Sequence, residues 1–145
     1  MKRLCSVCAR GGSKGVPNKN IRPLLGKPLL IHSLDQARNS GLFECIVISS
    51  DSKEILQLAE EWGVDHAIER PEELATDFAA KIPVIQHCFQ TAETLSGMTF
   101  DIAVDLDATS PLRNQDDLKG VLELLESSKH ISNVITGAPA RRSPY

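Results

Sequence analysis

The feature that most constrains the fold is a regular alternation, along all 145 residues, of short apolar runs with longer segments of helical period. Five apolar runs have strand length: residues 3–9, 44–49, 64–68, 101–106 and 133–136. Between them, hydrophobic side chains recur at i, i+3, i+4 and i+7, as in Ile55, Leu58, Ala59 and Trp62, which is typical of amphipathic helices. This βαβαβαβαβ order predicts an α/β fold with an open, doubly wound, mostly parallel sheet, because crossovers between parallel strands are right-handed.

The predicted topology also indicates where a ligand would bind. The usual strand order, 3-2-1-4, puts the first and fourth strands side by side, where the winding reverses and ligands bind beyond the carboxyl ends of the strands. The loops that leave those two strands cover residues 10–20 and 107–113, and both are rich in charged and hydrogen-bonding groups. We therefore expect the functional site between them.

Composition excludes several classes of protein. Hydrophobic residues make up 41% of the chain and charged residues 24%, which is typical of one globular domain, here covering residues 1–145. The formal net charge of -3 gives no electrostatic reason to bind nucleic acid or an anionic membrane. The first apolar run meets Arg10 too soon for a signal peptide, and no run reaches membrane-spanning length, so we expect a cytoplasmic protein.

The four cysteines do not form a metal or redox motif. Cys5 and Cys8 have CxxC spacing, but no second pair completes a tetrahedral site, and the pair lies inside a predicted strand, whereas a redox CxxC normally opens a helix. We interpret Cys5, Cys8, Cys45 and Cys88 as small buried thiols.

The loop after the first strand has the composition of a phosphate-binding loop. It reads Arg10-Gly11-Gly12-Ser13-Lys14-Gly15, followed by Lys19 and Asn20. Glycines let backbone amides turn toward an anion, and the cations and polar side chains add charge and hydrogen bonds. The motif matches neither GxxxxGK[ST] nor GxGxxG. Taken alone it fits a triphosphate site and a flexible glycine turn with solvated lysines equally well.

Four ordered segments carry a resemblance to a known family. They are residues 9–20, 48–51 (Ile-Ser-Ser-Asp), 70–77 (Arg-Pro-Glu-Glu-Leu-Ala-Thr-Asp) and 108–113 (Ala-Thr-Ser-Pro-Leu-Arg). Together they resemble the acylneuraminate cytidylyltransferases, the CMP-sialic acid synthetases. Ser13-Lys14-Gly15-Val16-Pro17-Asn18-Lys19-Asn20 differs from the first-loop patterns of the CMP-Kdo synthetases and of the bacterial glucosamine 1-phosphate uridylyltransferases.

The resemblance implies a Rossmann-like nucleotidyltransferase fold and a defined reaction. CTP and a nine-carbon 2-keto acid sugar would give a CMP-sugar and pyrophosphate, with Mg²⁺ or another divalent cation on the phosphates. By matching positions, the implied catalytic residues are Arg10, Lys14 and Lys19. The implied nucleotide-binding residues are Arg10, Gly11, Gly12, Ser13, Lys14, Asn20, Arg70, Ala79 and Lys81. Those implied to bind the sugar are Asp107, Thr109, Ser110 and Arg113.

Three of these positions leave alternatives open. Asp107 stands where the family often has Gln. Its functional interpretation is a changed sugar preference or a metal contact. Its structural interpretation is a solvated loop acid or a helix cap. Lys81 stands where a small polar residue is expected, so it is either part of the cytosine site or an exposed lysine at a helix start. Arg70 either reaches the ribose or forms a surface pair with Glu72 or Glu73.

The resemblance also implies that the family continues past residue 145, into a dimerisation segment and a pair of metal-binding aspartates. Of Asp101, Asp105 and Asp107, only Asp107 is expected to reach the crevice. We therefore expect a domain that is incomplete, with its C-terminal part absent. The complete protein would be a homodimer, and residues 1–145 alone would have little turnover. The alternatives are a non-catalytic nucleotide-binding fragment and a sugar nucleotidyltransferase with another nucleotide or sugar.

Overall fold

The structure, a computed structural model, describes residues 1–12, 15–76 and 79–137. The chain divides into two compact units, Met1–Leu112 and Arg113–Tyr145. In chain order, the first unit contains β1 (Arg3–Cys8), a 3-10 turn (Lys19–Ile21), β2 (Pro23–Leu24), β3 (Lys27–Pro28), α1 (Leu29–Ser40), β4 (Cys45–Ser50), α2 (Lys53–Trp62), β5 (His66–Glu69), a second 3-10 turn (Glu72–Leu74), α3 (Lys81–Ser96) and β6 (Ile102–Asp105).

The main sheet has four strands in the order β5-β4-β1-β6, and all of its pairs are parallel. This is the predicted 3-2-1-4 order. β1 lies in the middle, with Cys5 opposite Ile46 on one side and opposite Val104 on the other. All six residues of β4 are buried, which explains why its sequence is continuously apolar up to the two serines.

Local signals in the sequence set the helix ends. Ser52 begins α2 as its N-cap, with its hydroxyl accepting a bond from the amide of Ile55 at 3.4 Å. Gly63 ends the same helix at a φ of 95°, a left-handed conformation that costs glycine little and most other residues more. Pro28 precedes α1, which starts at Leu29.

Helices cover both faces of the sheet. α3 packs on the face presented by Leu4 and Val47, where Cys88, Ala92 and Phe100 complete a buried cluster. Alternate residues on the same strands, such as Val7 and Ile48, are fully buried on the opposite face, because side chains alternate along a strand. There α1 and α2 contact the sheet, and the guanidinium of Arg38 stacks 3.5 Å above the ring of Trp62.

The second unit differs from the sequence prediction. It contains α4 (Gln115–Ser127), which begins with a capping box between Asn114 and Asp117. The fifth strand predicted at residues 133–136 is wrong, because the described residues up to 137 contain no strand there. Those residues form no backbone ladder, and Ile135 is 87% exposed, so an apolar pattern without a pairing partner does not make a strand.

The two-residue strands β2 and β3 had no sequence prediction. No helix in the described segments is both long and apolar enough to cross a bilayer.

Candidate functional site

Two adjoining cavities open at the carboxyl ends of the parallel strands in the first unit. The first cavity, about 400 Å³, is lined by Cys8, Arg10, Arg70, Leu74, Thr76, Ala79, Lys81, Val84 and Asp107. The second cavity, about 540 Å³, is lined by Cys8, Arg10, Gly15, Val16, Lys19, Asn20, Asp107, Ala108 and Thr109. Cys8, Arg10 and Asp107 line both cavities and form what we call the shared wall. The shared wall lies where β1 and β6 end side by side, at the predicted switch point of the sheet.

The loop after β1 is anchored on each side of Arg10. The amide of Ala9 donates to the carbonyl of Ser49 at 3.0 Å, and the amide of Gly11 donates to Asp51 Oδ1 at 2.8 Å. A Cβ atom on Gly11 would lie 2.8 Å from the Cβ of Ser52, so the loop can approach α2 this closely only with glycine at that position.

Asn20 supports Arg10 from the other end of the loop. Its Nδ2 donates to the carbonyl of Arg10 at 2.9 Å, and only 7% of the residue is exposed. Asn20 also lines the second cavity. The structure therefore gives this predicted nucleotide-binding residue a positioning contact, in which its amide fixes the backbone that carries the guanidinium.

Arg70 is buried, with only 8% of its surface exposed. The interpretation as an exposed pair with Glu72 or Glu73 is therefore wrong. Its Nη2 donates to the carbonyl of Ser49 at 3.2 Å, while its Nε is buried with no partner among the described atoms. Because a buried cationic donor is costly until it is paired, Arg70 lines the first cavity as a group that an acceptor on a ligand would stabilise.

Lys81 joins two aspartates beside the shared wall. Its Nζ lies 2.8 Å from Asp105 Oδ2 and 3.5 Å from Asp107 Oδ2. Asp105 also accepts a hydrogen bond at 3.0 Å from the hydroxyl of Ser6, its neighbour on β1. Burial alone would lower the pKa of Lys81, but the hydrogen bonds and charges of the two carboxylates outweigh it and raise that pKa. Lys81 is thus a firmly charged member of the site.

Asp107 is fixed by the residues that follow it. Its Oδ1 accepts bonds from the amide of Thr109 at 2.9 Å and from the Thr109 hydroxyl at 2.7 Å. Burial would raise the pKa of Asp107, but the two bonds from Thr109 and the charge of Lys81 lower it overall. An ionised carboxylate only accepts hydrogen bonds, so Asp107 presents an acceptor to both cavities.

The loop after β6 is tied to α1. The hydroxyl of Ser33 donates to the carbonyl of Asp107 at 3.2 Å, and Gln36 Nε2 donates to the carbonyl of Pro111 at 2.7 Å. These bonds fix the loop that carries Asp107 against α1.

The prediction of buried thiols is confirmed for Cys5, Cys45 and Cys88 and is wrong for Cys8, which is only partly buried. All four are free thiols. Contact with the Cys88 thiol, burial and the nearby Asp105 all raise the pKa of Cys8 well above its usual range. Because the thiolate is the reactive form of cysteine, a raised pKa makes Cys8 less nucleophilic than an ordinary exposed thiol.

The predicted site residues fall into three groups. Those that line the cavities are Arg10, Lys19, Asn20, Arg70, Ala79, Lys81, Asp107 and Thr109. Gly11, Gly12 and Ser110 lie in the same loops without lining either cavity, and Arg113 lies in the second unit. Ser13 and Lys14 lie outside the described residues.

Sequence reasoning missed Cys8 and Asp105. Cys8 was interpreted only as a buried thiol, yet it lines both cavities. Asp105 lines neither cavity, as expected, but Lys81 connects it to Asp107. Asp105 and Asp107 are two residues apart, and such residues lie on the same face of a strand and its extension. This spacing was the signal in the sequence that the two side chains could share one partner.

The described residues do not build a resident metal site. No group of three or more His, Cys, Asp or Glu side chains among them is placed to hold an ion. Asp105 and Asp107 turn their oxygens toward the ammonium of Lys81, which already supplies the positive charge.

Comparisons with known proteins agree with the resemblance. A family model described as cytidylyltransferase matches residues 4–143. Post-translational flagellin modification protein B of Campylobacter coli is 45% identical over 142 residues, which are 98% of this chain and 60% of that protein. CMP-N,N'-diacetyllegionaminic acid synthase of Campylobacter jejuni is 44% identical over the same length and shares. The chain thus spans about 60% of the length of these two relatives.

A solved structure shares the fold. The structure of CMP:2-keto-3-deoxy-manno-octonic acid synthetase complexed with CTP matches with a TM-score of 0.72 at 19% identity, covering 90% of this chain and 50% of that chain. At this level of identity the match concerns the fold alone.

Proposed function

The chain belongs to the cytidylyltransferase family, and from that premise we propose that it binds CTP and transfers CMP to the anomeric hydroxyl of a nine-carbon 2-keto acid sugar, releasing pyrophosphate. The observation that carries the proposal is the position of the cationic side chains. Arg10, Arg70 and Lys81 line the first cavity, and Arg10 and Lys19 line the second. Arg10, Arg70 and Lys19 suit a triphosphate and a second, acidic substrate, while Lys81 offsets the charge of Asp105 and Asp107 beside them.

The nucleoside would occupy the first cavity. Arg70, buried and with an unpaired Nε, would donate to the ribose or to a phosphate oxygen. Ala79 lines the same cavity at the start of the segment that leads into α3. A small side chain there leaves room for a flat base.

The triphosphate would lie along the shared wall. Arg10 and Lys19 would bind it and stabilise the negative charge that develops on the departing pyrophosphate. The sugar hydroxyl would attack the α-phosphorus, the bond from that phosphorus to the bridging oxygen would break, and the hydroxyl proton would pass to solvent. Mg²⁺ would arrive as the CTP complex, as a substrate. Lys14, outside the described residues, remains a proposed phosphate ligand on the strength of the resemblance.

The sugar would meet Asp107 and Thr109 in the second cavity. An ionised Asp107 accepts hydrogen bonds and repels carboxylates. We therefore propose that a hydroxyl or amide N–H of the sugar lies against it and that the sugar carboxylate points away, toward the cations.

The proposal is tested in two steps. Calorimetric titration with CTP, UTP, GTP and ATP, each with Mg²⁺, should show CTP binding at least ten-fold more tightly than the other nucleotides. Pyrophosphate release is then measured with CTP and N-acetylneuraminic, legionaminic, pseudaminic or 3-deoxy-manno-octulosonic acid. Because little turnover is expected of these residues alone, we expect slow release that depends on CTP and on one or more of the nine-carbon sugars. Preference for another nucleotide would contradict the first step, and CTP binding with no release would contradict the transfer step for this chain.

A further inference from the structure

We propose that Lys81 is a positioning residue of the CTP site, which acts through Asp105 and Asp107 and not by touching the nucleotide. Its ammonium cancels negative charge beside the shared wall and so lets a triphosphate approach. The inference rests on the proposed function, because it concerns how strongly CTP is held.

The place of Lys81 in the fold needs an explanation. Lys81 is the first residue of α3, and its N-cap, Ala80, offers no side-chain bond. The amino end of a helix carries partial positive charge, which disfavours a lysine there. The Lys81 side chain is 54% exposed, as expected for a lysine at a helix start, so water and the two aspartates together stabilise the ammonium there.

The two aspartates provide part of that stabilisation. The Asp105 side chain is only 11% exposed, and its two oxygens are divided between Ser6 and Lys81. The Asp107 side chain is 52% exposed and lies on the outer side of the same ammonium. Without Lys81, a mostly buried carboxylate would lose its charged partner, which is costly because water cannot replace it fully.

The charge balance explains the effect on CTP. Asp105 and Asp107 together carry two negative charges, and Asp107 lines both cavities with Arg10. Lys81 reduces the sum to one. If Lys81 turned toward a phosphate, Asp105 would lose its ion pair and keep the bond from Ser6. The favourable arrangement keeps the ammonium on the aspartates and leaves Arg10, Arg70 and Lys19 to bind the ligand.

The test compares four variants by calorimetric titration with Mg²⁺ and CTP. Lys81→Met removes the charge and keeps most of the stem, and we expect CTP binding about ten-fold weaker. Asp105→Asn alone should tighten binding about two- to three-fold. The double variant Lys81→Met/Asp105→Asn should return to within about three-fold of the wild type. Lys53→Met is the matched control, because Lys53 is exposed, likewise begins a helix, α2, and lines neither cavity.

The double variant distinguishes a positioning role of Lys81 from direct contact between Lys81 and the nucleotide. If Lys81 touched the nucleotide directly, the double variant would stay as weak as Lys81→Met, and that result would overturn the proposal. An unchanged affinity in Lys81→Met would overturn it as well. Should Lys81→Met not fold, Asp105→Asn decides, and weaker CTP binding in that variant would contradict the inference. A wild-type chain that does not bind CTP would instead refute the proposed function.

Discussion

At the scale of single residues, the shared wall concentrates the chemistry. Arg10 supplies positive charge to both cavities, Asp107 supplies an acceptor to both, and Cys8 lines both beside them. A change at Asp107 should therefore affect the choice of the second substrate, while a change at Arg10 should affect the nucleotide.

Asp107→Asn should alter the ranking among nine-carbon sugars and change CTP affinity by no more than about three-fold. The amide keeps the size of the side chain but adds an N–H donor, so groups repelled by the carboxylate become acceptable. Pyrophosphate release with the sugar panel measures the ranking, and calorimetry measures CTP binding. A variant that lost CTP binding and kept the sugar ranking would contradict the assignment of Asp107 to the second substrate.

Thr109→Val should raise the pKa of Asp107 toward its usual value. The valine removes the hydroxyl bond of 2.7 Å while the amide bond of 2.9 Å remains. Because the pKa of Asp107 is lowered in the folded protein, its contribution to stability is present above the unfolded-state pKa and is lost as the pH falls through the folded-state value.

Two measurements check this expectation. Carboxyl NMR titration should report the higher pKa directly. Urea unfolding should show that Thr109→Val destabilises the protein at about pH 7 and that the difference disappears in acid. Ser110→Ala, which removes a neighbouring exposed hydroxyl, is the control and should leave the Asp107 titration unchanged. Equal titrations in Thr109→Val and the wild type would show that the hydroxyl does not act on Asp107.

At the scale of elements, the loop after β1 depends on its fit against the start of α2. Gly11 makes both the close approach to Ser52 and the bond to Asp51. The phosphate-loop interpretation assigned its glycines to anion binding. The structure shows that Gly11 is needed for packing between elements.

Gly11→Ala should destabilise the domain by about 1–3 kcal/mol, the usual cost of overpacking, and weaken CTP binding by displacing Arg10. Ser52→Gly removes the opposing Cβ at a cap position where glycine costs only a few tenths of a kcal/mol, so the double variant should recover most of the loss. Gly12→Ala is the control, since in the part of the chain that the structure describes no atom beyond its chain neighbours lies within 4 Å of its added Cβ. Chemical denaturation measures the stabilities, and equal losses in Gly11→Ala and Gly12→Ala would contradict the argument.

Elements with strong local patterns were predictable, and those that depend on partners were not. The first four strands and their helices follow from apolar runs and caps such as Ser52 and Gly63. Residues 133–136 have the same apolar character, but strand formation depends on a backbone partner that sequence periodicity cannot supply. The same holds for the site. Its cationic residues could be predicted because they stand in a sequence motif. The pairing of Lys81 with Asp105 and the burial of Arg70 could not, because they arise only from tertiary contacts.

At the scale of the whole molecule, ligand binding should be visible as thermal stability. Every residue that lines the two cavities lies within Met1–Leu112, and a ligand held there binds the folded state alone. At a free concentration of 100 Kd, CTP with Mg²⁺ should add about 2.7 kcal/mol, which raises the Tm of a chain of this size by about 5–10 °C.

Calorimetric scans with and without CTP measure the Tm shift. Arg10→Ala should reduce the shift at the same CTP concentration, because one charge-assisted contact is worth about 1.5–3 kcal/mol. Arg22→Ala is the matched control, since Arg22 is exposed in the same segment and lines neither cavity. An equal shift in the wild type and Arg10→Ala would remove Arg10 from the nucleotide site.

The central place of β1 in the sheet has a consequence for the protein as it is being made. β1 pairs with β4 and, on its other side, with β6, where Arg3 lies opposite Ile102. At about 5–20 residues per second, the ribosome needs about 2–7 s to add the stretch from Glu69 to Asp105. Until β6 is made, the edge of β1 that pairs with it in the finished fold has no partner, and other unfinished chains could join that edge. The shared wall is also incomplete during that interval, because Asp107 follows β6 in the chain, although Cys8 and Arg10 have already been made.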